Sequence, residues 1–164
     1  MFYQLDQATR QDAIKALGDD DIAPGDRNDI FCSLRFGYSM KEATLVKNQL
    51  KEEYDIHATI IDVPEGEDIA EQVAVKLDEA KMALIFGCET YGFGTVSYST
   101  KQELEFIISE KKPFFFIKMC DQFSEASTRM TLPDDSAHGK WEHGKPMPPN
   151  LLADIVKRFE ALES

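Results

Sequence analysis

The sequence predicts a doubly wound α/β fold built on a parallel sheet, and three observations predict it. Apolar, β-branched runs of four to seven residues alternate with segments of helical periodicity. The runs Met82-Ala83-Leu84-Ile85-Phe86 and Pro113 to Met119 are apolar almost throughout, as strands covered on both faces must be. The intervening segments, ~10–12 residues each, have the length of crossover helices.

Taken in order, Ile30-Phe31-Cys32-Ser33-Leu34 reads as the first strand, ending at Arg35-Phe36-Gly37. Ser39, with Glu42 three residues on, has the pattern of a capping box. Met40, Ala43, Val46 and Leu50 then recur at helical spacing to about Tyr54. His57 to Ile61 reads as the second strand, and Asp62 to Glu67 as an acidic loop containing Pro and Gly. Asp68 is positioned to cap a helix whose stripe is Ile69, Val73 and Leu77. Met82 to Phe86 is the third strand, and Gly87 to Ser99 a long loop. Thr100-Lys101-Gln102-Glu103 has the form of a second capping box, placing Glu103 at the third helical position. Leu104, Ile107 and Ile108 continue that helix, and Lys111-Lys112 are suitably basic for its end. Pro113 to Met119 is the fourth strand. Residues 121–149 are irregular, with a short strand expected near Arg129 to Leu132, and a final helix opens near Asn150 with Leu152, Ile155, Val156 and Phe159 as its core face. The expectation is a flavodoxin-like sheet of about five strands in the order 2-1-3-4-5, helices on both faces.

The 164 residues suit one domain, residues 29–164, preceded by a leader or linker over residues 1–28 with a short helix from Ala8 to Leu17. A hydrophobic fraction of 43% and a charged fraction of 29% are ordinary for a globular chain, and no apolar run approaches the ~20 residues of a membrane span. The start, Met1 to Asp6, lacks the basic and apolar stretches of a signal peptide. Three widely spaced cysteines, Cys32, Cys88 and Cys120, suggest neither a disulfide framework nor a zinc site, and a reducing cytoplasm is the plain expectation. The net charge of -12 comes with no cluster of Lys and Arg, which argues against nucleic acid as a partner.

In doubly wound sheets, ligands bind beyond the carboxyl ends of the strands where strand order reverses, here between strands one and three. Three loops converge on that place. The first carries Arg35, Phe36 and Gly37; the second, Gly87 to Ser99, carries Tyr91, Phe93 and Tyr98 and leads to Glu103; the third begins at Asp62. The second loop does not match G-x-G-x-x-G, so a Rossmann dinucleotide fingerprint is not supported. His57, His138 and His143 form no Ser/His/Asp or Cys/His arrangement with a nucleophile.

Asp29-Ile30-Phe31-Cys32-Ser33-Leu34-Arg35 resembles the opening strand motif of TIR (Toll/interleukin-1 receptor) domains. Ile60-Ile61-Asp62-Val63 followed by Gly66 and Ile69 is similar to their second strand and BB loop. Met82 to Cys88, then Tyr91, is similar to their third strand and the stretch after it, and Lys111 to Met119 to the fourth. Glu103-Leu104 resembles the acidic pair opening the helix after strand three. The likeness covers roughly residues 29–120 in order and spacing. Leu34, Gly87 and Ser99 depart from it: they stand where an aromatic residue, a Ser and a Trp are common.

The resemblance implies an enzyme of immune or cell-death signalling that cleaves NAD⁺ to nicotinamide and ADP-ribose or a cyclic ADP-ribose. Glu103 would be the catalytic carboxylate, and Arg35, Phe36, Gly37, Asp62, Tyr91 and Tyr98 would line the substrate site, with aromatic rings stacking on nicotinamide. NAD⁺ would be substrate, with no further cofactor and no metal. It also implies a homo-oligomer formed through the BB loop (Asp62 to Ile69), with other TIR domains as further partners. Two rival readings remain open: a non-enzymatic TIR module acting through assembly, with Glu103 only a helix cap, and a nucleoside deoxyribosyltransferase-like enzyme.

Overall fold

The structure is a computed structural model, and it describes residues 27–35, 38–61, 70–92 and 99–163. Five strands make one sheet: β1 (Ile30–Leu34), β2 (Ala58–Thr59), β3 (Met82–Gly87), β4 (Phe114–Lys118) and β5 (Gly139–Lys140). Their order is β2-β1-β3-β4-β5 and every pairing is parallel, the arrangement expected from the sequence. Five helices surround the sheet among the described residues: α1 (Met40–Tyr54), α2 (Ala70–Glu79), α3 (Thr100–Ser109), α4 (Ala126–Thr131) and α5 (Leu151–Glu163).

Side-chain alternation along the strands separates two cores. Ile30 and Cys32 of β1, with Leu84 and Phe86 of β3, pack against Ala43, Val46 and Leu50 of α1 and Ile155 and Phe159 of α5. Phe31 of β1, with Ala83 and Ile85 of β3, packs against Val73 and Leu77 of α2 and Leu104 and Ile107 of α3. All four residues expected on the core face of the last helix, Leu152, Ile155, Val156 and Phe159, are buried. Residues of each stripe are three or four apart, so one face of each helix meets the sheet and the opposite face meets solvent. Among the described residues no helix is long and apolar enough to cross a membrane.

Several local expectations are corrected. The strand expected near Arg129 to Leu132 is the end of helix α4: Arg129 N–H bonds Glu125 O at 3.1 Å and Leu132 N–H bonds Thr128 O at 2.8 Å. The strand propensity of the threonines yields there to tertiary contacts, since Thr128 is buried with its hydroxyl on Tyr91 O. The second strand, expected over His57 to Ile61, pairs only through Ala58–Thr59, as a short edge strand. The capping box expected at Ser39 and Glu42 is not formed. Ser39 Oγ is buried without a hydrogen-bond partner, and Glu42 Oε2 lies 3.6 Å from His143 Nε2 and 3.5 Å from Gly144 N. Lys111 (φ +54°) and Lys112 do close α3, but through their backbone: Lys111 N–H bonds Ile108 O at 3.2 Å and Lys112 N–H bonds Ile107 O at 2.9 Å, while the Lys112 ammonium takes the carbonyls of Asp78 (2.9 Å) and Ala80 (2.6 Å) at the end of α2. The expected leader helix over Ala8 to Leu17, the cap at Asp68 and the stripe residue Ile69 lie outside the described residues.

Candidate functional site

The site is built where β1 and β3 end side by side, with Leu34 in register with Phe86. Ser33 is the single hydroxyl residue of β1 and shares a face with Phe31, so its side chain points toward α2 and α3, where it is wholly buried. A hydroxyl in such a place needs a partner. It finds one on α3: Ser33 Oγ donates to Glu103 Oε1 at 2.7 Å. On its other side Ser33 Oγ lies 2.5 Å from the Tyr91 hydroxyl.

Glu103 is 8% exposed and lies on the inward stripe of α3 with Thr100, Leu104 and Ile107. The capping box of this helix is shifted by one residue from its expected position. Ser99 is the N-cap, and Gln102 Oε1 accepts the Ser99 backbone N–H at 2.9 Å. Glu103 therefore falls one residue past the capping position, where rotation of ~100° per residue turns it from the cap toward the sheet. Burying a carboxylate is costly unless donors replace its water, and the Ser33 hydroxyl is one such donor.

The loop after β3 is held at its base by two threonines. Thr128 Oγ1 donates to Tyr91 O at 3.0 Å, and Gly92 N–H donates to Thr100 Oγ1 at 2.9 Å. Gly92 has φ +86°, and a Cβ there would overlap Thr128 Oγ1, so only glycine fits. Gly87, where the resembled family often has Ser, is also constrained. A Cβ on it would meet Phe116 Cε1 at 2.7 Å and Phe123 Cζ at 2.9 Å.

Of the site residues expected from the sequence, Glu103, Tyr91 and Arg35 lie among those described. Glu103 and Tyr91 are brought together through Ser33. The expectation that Tyr91 offers a ring for stacking is corrected: it is 0% exposed, and burial and the nearby Glu103 push its phenol well above the usual tyrosine range. Its ring is packed in the Phe31, Leu104 and Phe123 core, and only its hydroxyl reaches Ser33. Arg35 follows β1 directly and holds its guanidinium 4.8 Å from the centre of the Tyr38 ring, a cation–π contact. Phe36, Gly37, Asp62 and Tyr98 lie outside the described residues, as do Phe93 and the BB loop.

Ser33 was not among the expected site residues. Its signal was present in the sequence: a lone hydroxyl in a strand otherwise buried on both faces must bond to something that folds over it. A second polar cluster lies at the same edge on the other face. His143 Nε2 is 2.6 Å from Tyr38 O, a carbonyl that can only accept, so this nitrogen carries a proton. Among the described residues no group of three His, Cys, Asp or Glu side chains is placed to hold a metal ion. No protein-family model matches the chain, and no curated protein matches it either.

Proposed function

We propose that this chain is a TIR-type NAD⁺ glycohydrolase or ADP-ribosyl cyclase in which Glu103 stabilises the ribose as nicotinamide departs. One observation carries the reading: a carboxylate occupies the inward stripe of α3 at the carboxyl edge of β1, bound by Ser33 rather than spent on its own helix cap. A leucine there would suit the core better, and a charge kept where it costs stability is the mark of a functional group. The sheet order adds support, since ligands of doubly wound sheets bind at this edge. The sequence resemblance supplies the substrate.

The chemistry suits a single acid. Ordinary glycoside cleavage needs a second carboxyl group to protonate a poor leaving group. The nicotinamide of NAD⁺ is a cationic pyridinium that takes the bonding pair and leaves neutral, so no proton donor is required. The ribose left behind is oxocarbenium-like, and an ionised Glu103 beside it lowers the barrier by stabilising that positive charge. Water as acceptor gives ADP-ribose; an atom of the substrate's own adenine or ribose gives a cyclic product. Arg35 would contribute charge toward the diphosphate.

The proposal includes action in the cytoplasm and assembly through the BB loop, so activity per molecule rises with protein concentration. The purely assembling alternative takes Glu103 to be a cap, a position that Gln102 holds. The test is NAD⁺ consumption by the full chain beside Glu103→Gln and Glu103→Ala. The expected loss is about a thousandfold or more with the fold retained. Turnover that persists in folded Glu103→Gln removes the assignment.

A further inference from the structure

We propose that Tyr91 and Ser33 form a directed hydroxyl relay that orients Glu103 and keeps it ionised, which makes both of them positioning residues for that carboxylate. The inference deepens the proposed function and rests on Glu103 being its working acid, but the relay can be measured without any turnover.

The direction of the relay comes from donor counting. An ionised carboxylate only accepts, so the Ser33 hydroxyl spends its one proton on Glu103 Oε1 at 2.7 Å. Between Ser33 and Tyr91, 2.5 Å apart, the phenol is then the remaining donor. The order is Tyr91 O–H to Ser33 Oγ, then Ser33 O–H to Glu103. Each donor polarises the next, so the phenol strengthens a hydrogen bond it does not itself make. Burial and the charge of Glu103 both oppose ionisation of Tyr91, which therefore keeps its proton.

Packing by itself does not ask for these hydroxyls. The Tyr91 ring sits among Phe31, Leu104 and Phe123, where a phenylalanine would fill the same volume. Nor is the relay loosely hung. Thr128 holds the Tyr91 carbonyl, and Tyr91 N–H bonds Cys88 O at 3.0 Å, which sets where the phenol can reach. Ser33 is fixed by the β1 ladder to β3.

The experiment tracks the Glu103 side-chain carboxyl by ¹³C NMR against pH in the full chain, its resonance assigned with Glu103→Gln. Removing the donor in Ser33→Ala raises the ionisation midpoint by roughly one pH unit, and Tyr91→Phe raises it by less. Because the phenol acts through Ser33, Tyr91→Phe adds nothing in a Ser33→Ala background. Ser33→Thr, which keeps the hydroxyl, keeps the wild-type midpoint. If Ser33→Ala does not fold, Tyr91→Phe and Ser33→Thr carry the test alone. An unchanged midpoint in Tyr91→Phe, or a Tyr91→Phe shift undiminished without Ser33, overturns the relay. In parallel, the acid limb of NAD⁺ turnover moves upward in the same order. A wild-type chain that consumes no NAD⁺ removes the enzymatic reading, and the NMR midpoints still decide the relay.

Discussion

Gln102 Oε1 takes the Ser99 backbone N–H at 2.9 Å, so the capping role at the start of α3 belongs to Gln102 and not to the adjacent Glu103. Two neighbouring side chains, one amide and one acidic, therefore have opposite tasks. One satisfies an orphan donor of the helix and the other faces the sheet.

That division predicts how Glu103 variants behave as folded proteins. Glu103→Gln keeps an acceptor for Ser33 and removes a buried charge, so its melting temperature equals or exceeds that of the wild type, while the proposed NAD⁺ cleavage would be lost. Gln102→Ala breaks the cap and costs about 1 kcal/mol. Thermal unfolding of the pair checks both; a large loss of stability confined to Glu103→Gln would mean that the carboxylate is a structural element.

Gly92 offers a second test. With φ +86° and Thr128 Oγ1 in the path of any Cβ, Gly92→Ala incurs both backbone strain and a clash, together about 2–4 kcal/mol. The two penalties separate in a double-mutant cycle. In a Thr128→Ala background the clash is gone, and Gly92→Ala costs only the strain, about 1–2 kcal/mol. Additive costs in denaturant unfolding would contradict this geometry.

His138 gives the fold a pH dependence of defined sign. Its Nδ1 accepts the Phe116 backbone N–H at 2.9 Å, which requires an unprotonated nitrogen. Burial, and then the charge of Arg158, hold the imidazole below its ordinary value of 6.5. The unfolded chain thus binds the proton first as pH falls. The contribution is complete above pH 6.5 and is lost as pH drops from there through the lower folded value. Melting temperature measured from about pH 8 to about pH 5 declines at the acid end, and His138→Gln flattens that part of the decline.

The thiols are expected to be inert in the native state. Burial pushes Cys32 up to about 12 and Cys120 up to about 11, and Cys88 is buried. Thiolate is the reactive species, so a disulfide reagent at about pH 8 reacts slowly with the folded chain and titrates all three cysteines after denaturation. Rapid stoichiometric labelling of native protein would show that these side chains are reached by solvent.

The order of strands and helices was legible in the sequence because it depends on periodicity, which is local. Val73 and Leu77, Leu104 and Ile107, and Ile155 and Phe159 each mark a face that only a sheet can cover, and each is buried. Continuous apolar runs at β3 and β4 foretold strands covered on both sides. β5 was not legible, since Gly139–Lys140 carries no strand signal and pairs with β4 only through Ile117 and Lys118. The helix at Ala126–Thr131 escaped the sequence for a related reason: six residues are too few for periodicity to outweigh propensity.

By itself, then, the sequence determined the fold class, the order of the first four strands and the edge of the sheet at which Glu103 stands. It could not decide what Glu103 does there. Two capping patterns one residue apart, Ser99 with Gln102 and Thr100 with Glu103, are both chemically sound. Tertiary packing chose between them, because Thr100 is needed at Gly92 and Ser33 finds its acceptor on the helix that covers its face of the sheet. The same packing buried Tyr91, which local pattern left as a loop aromatic. Hydrogen bonds between residues 58 and 70 positions apart, Ser33 with Tyr91 and with Glu103, have no trace in local sequence, and they exist only once the chain has folded them together.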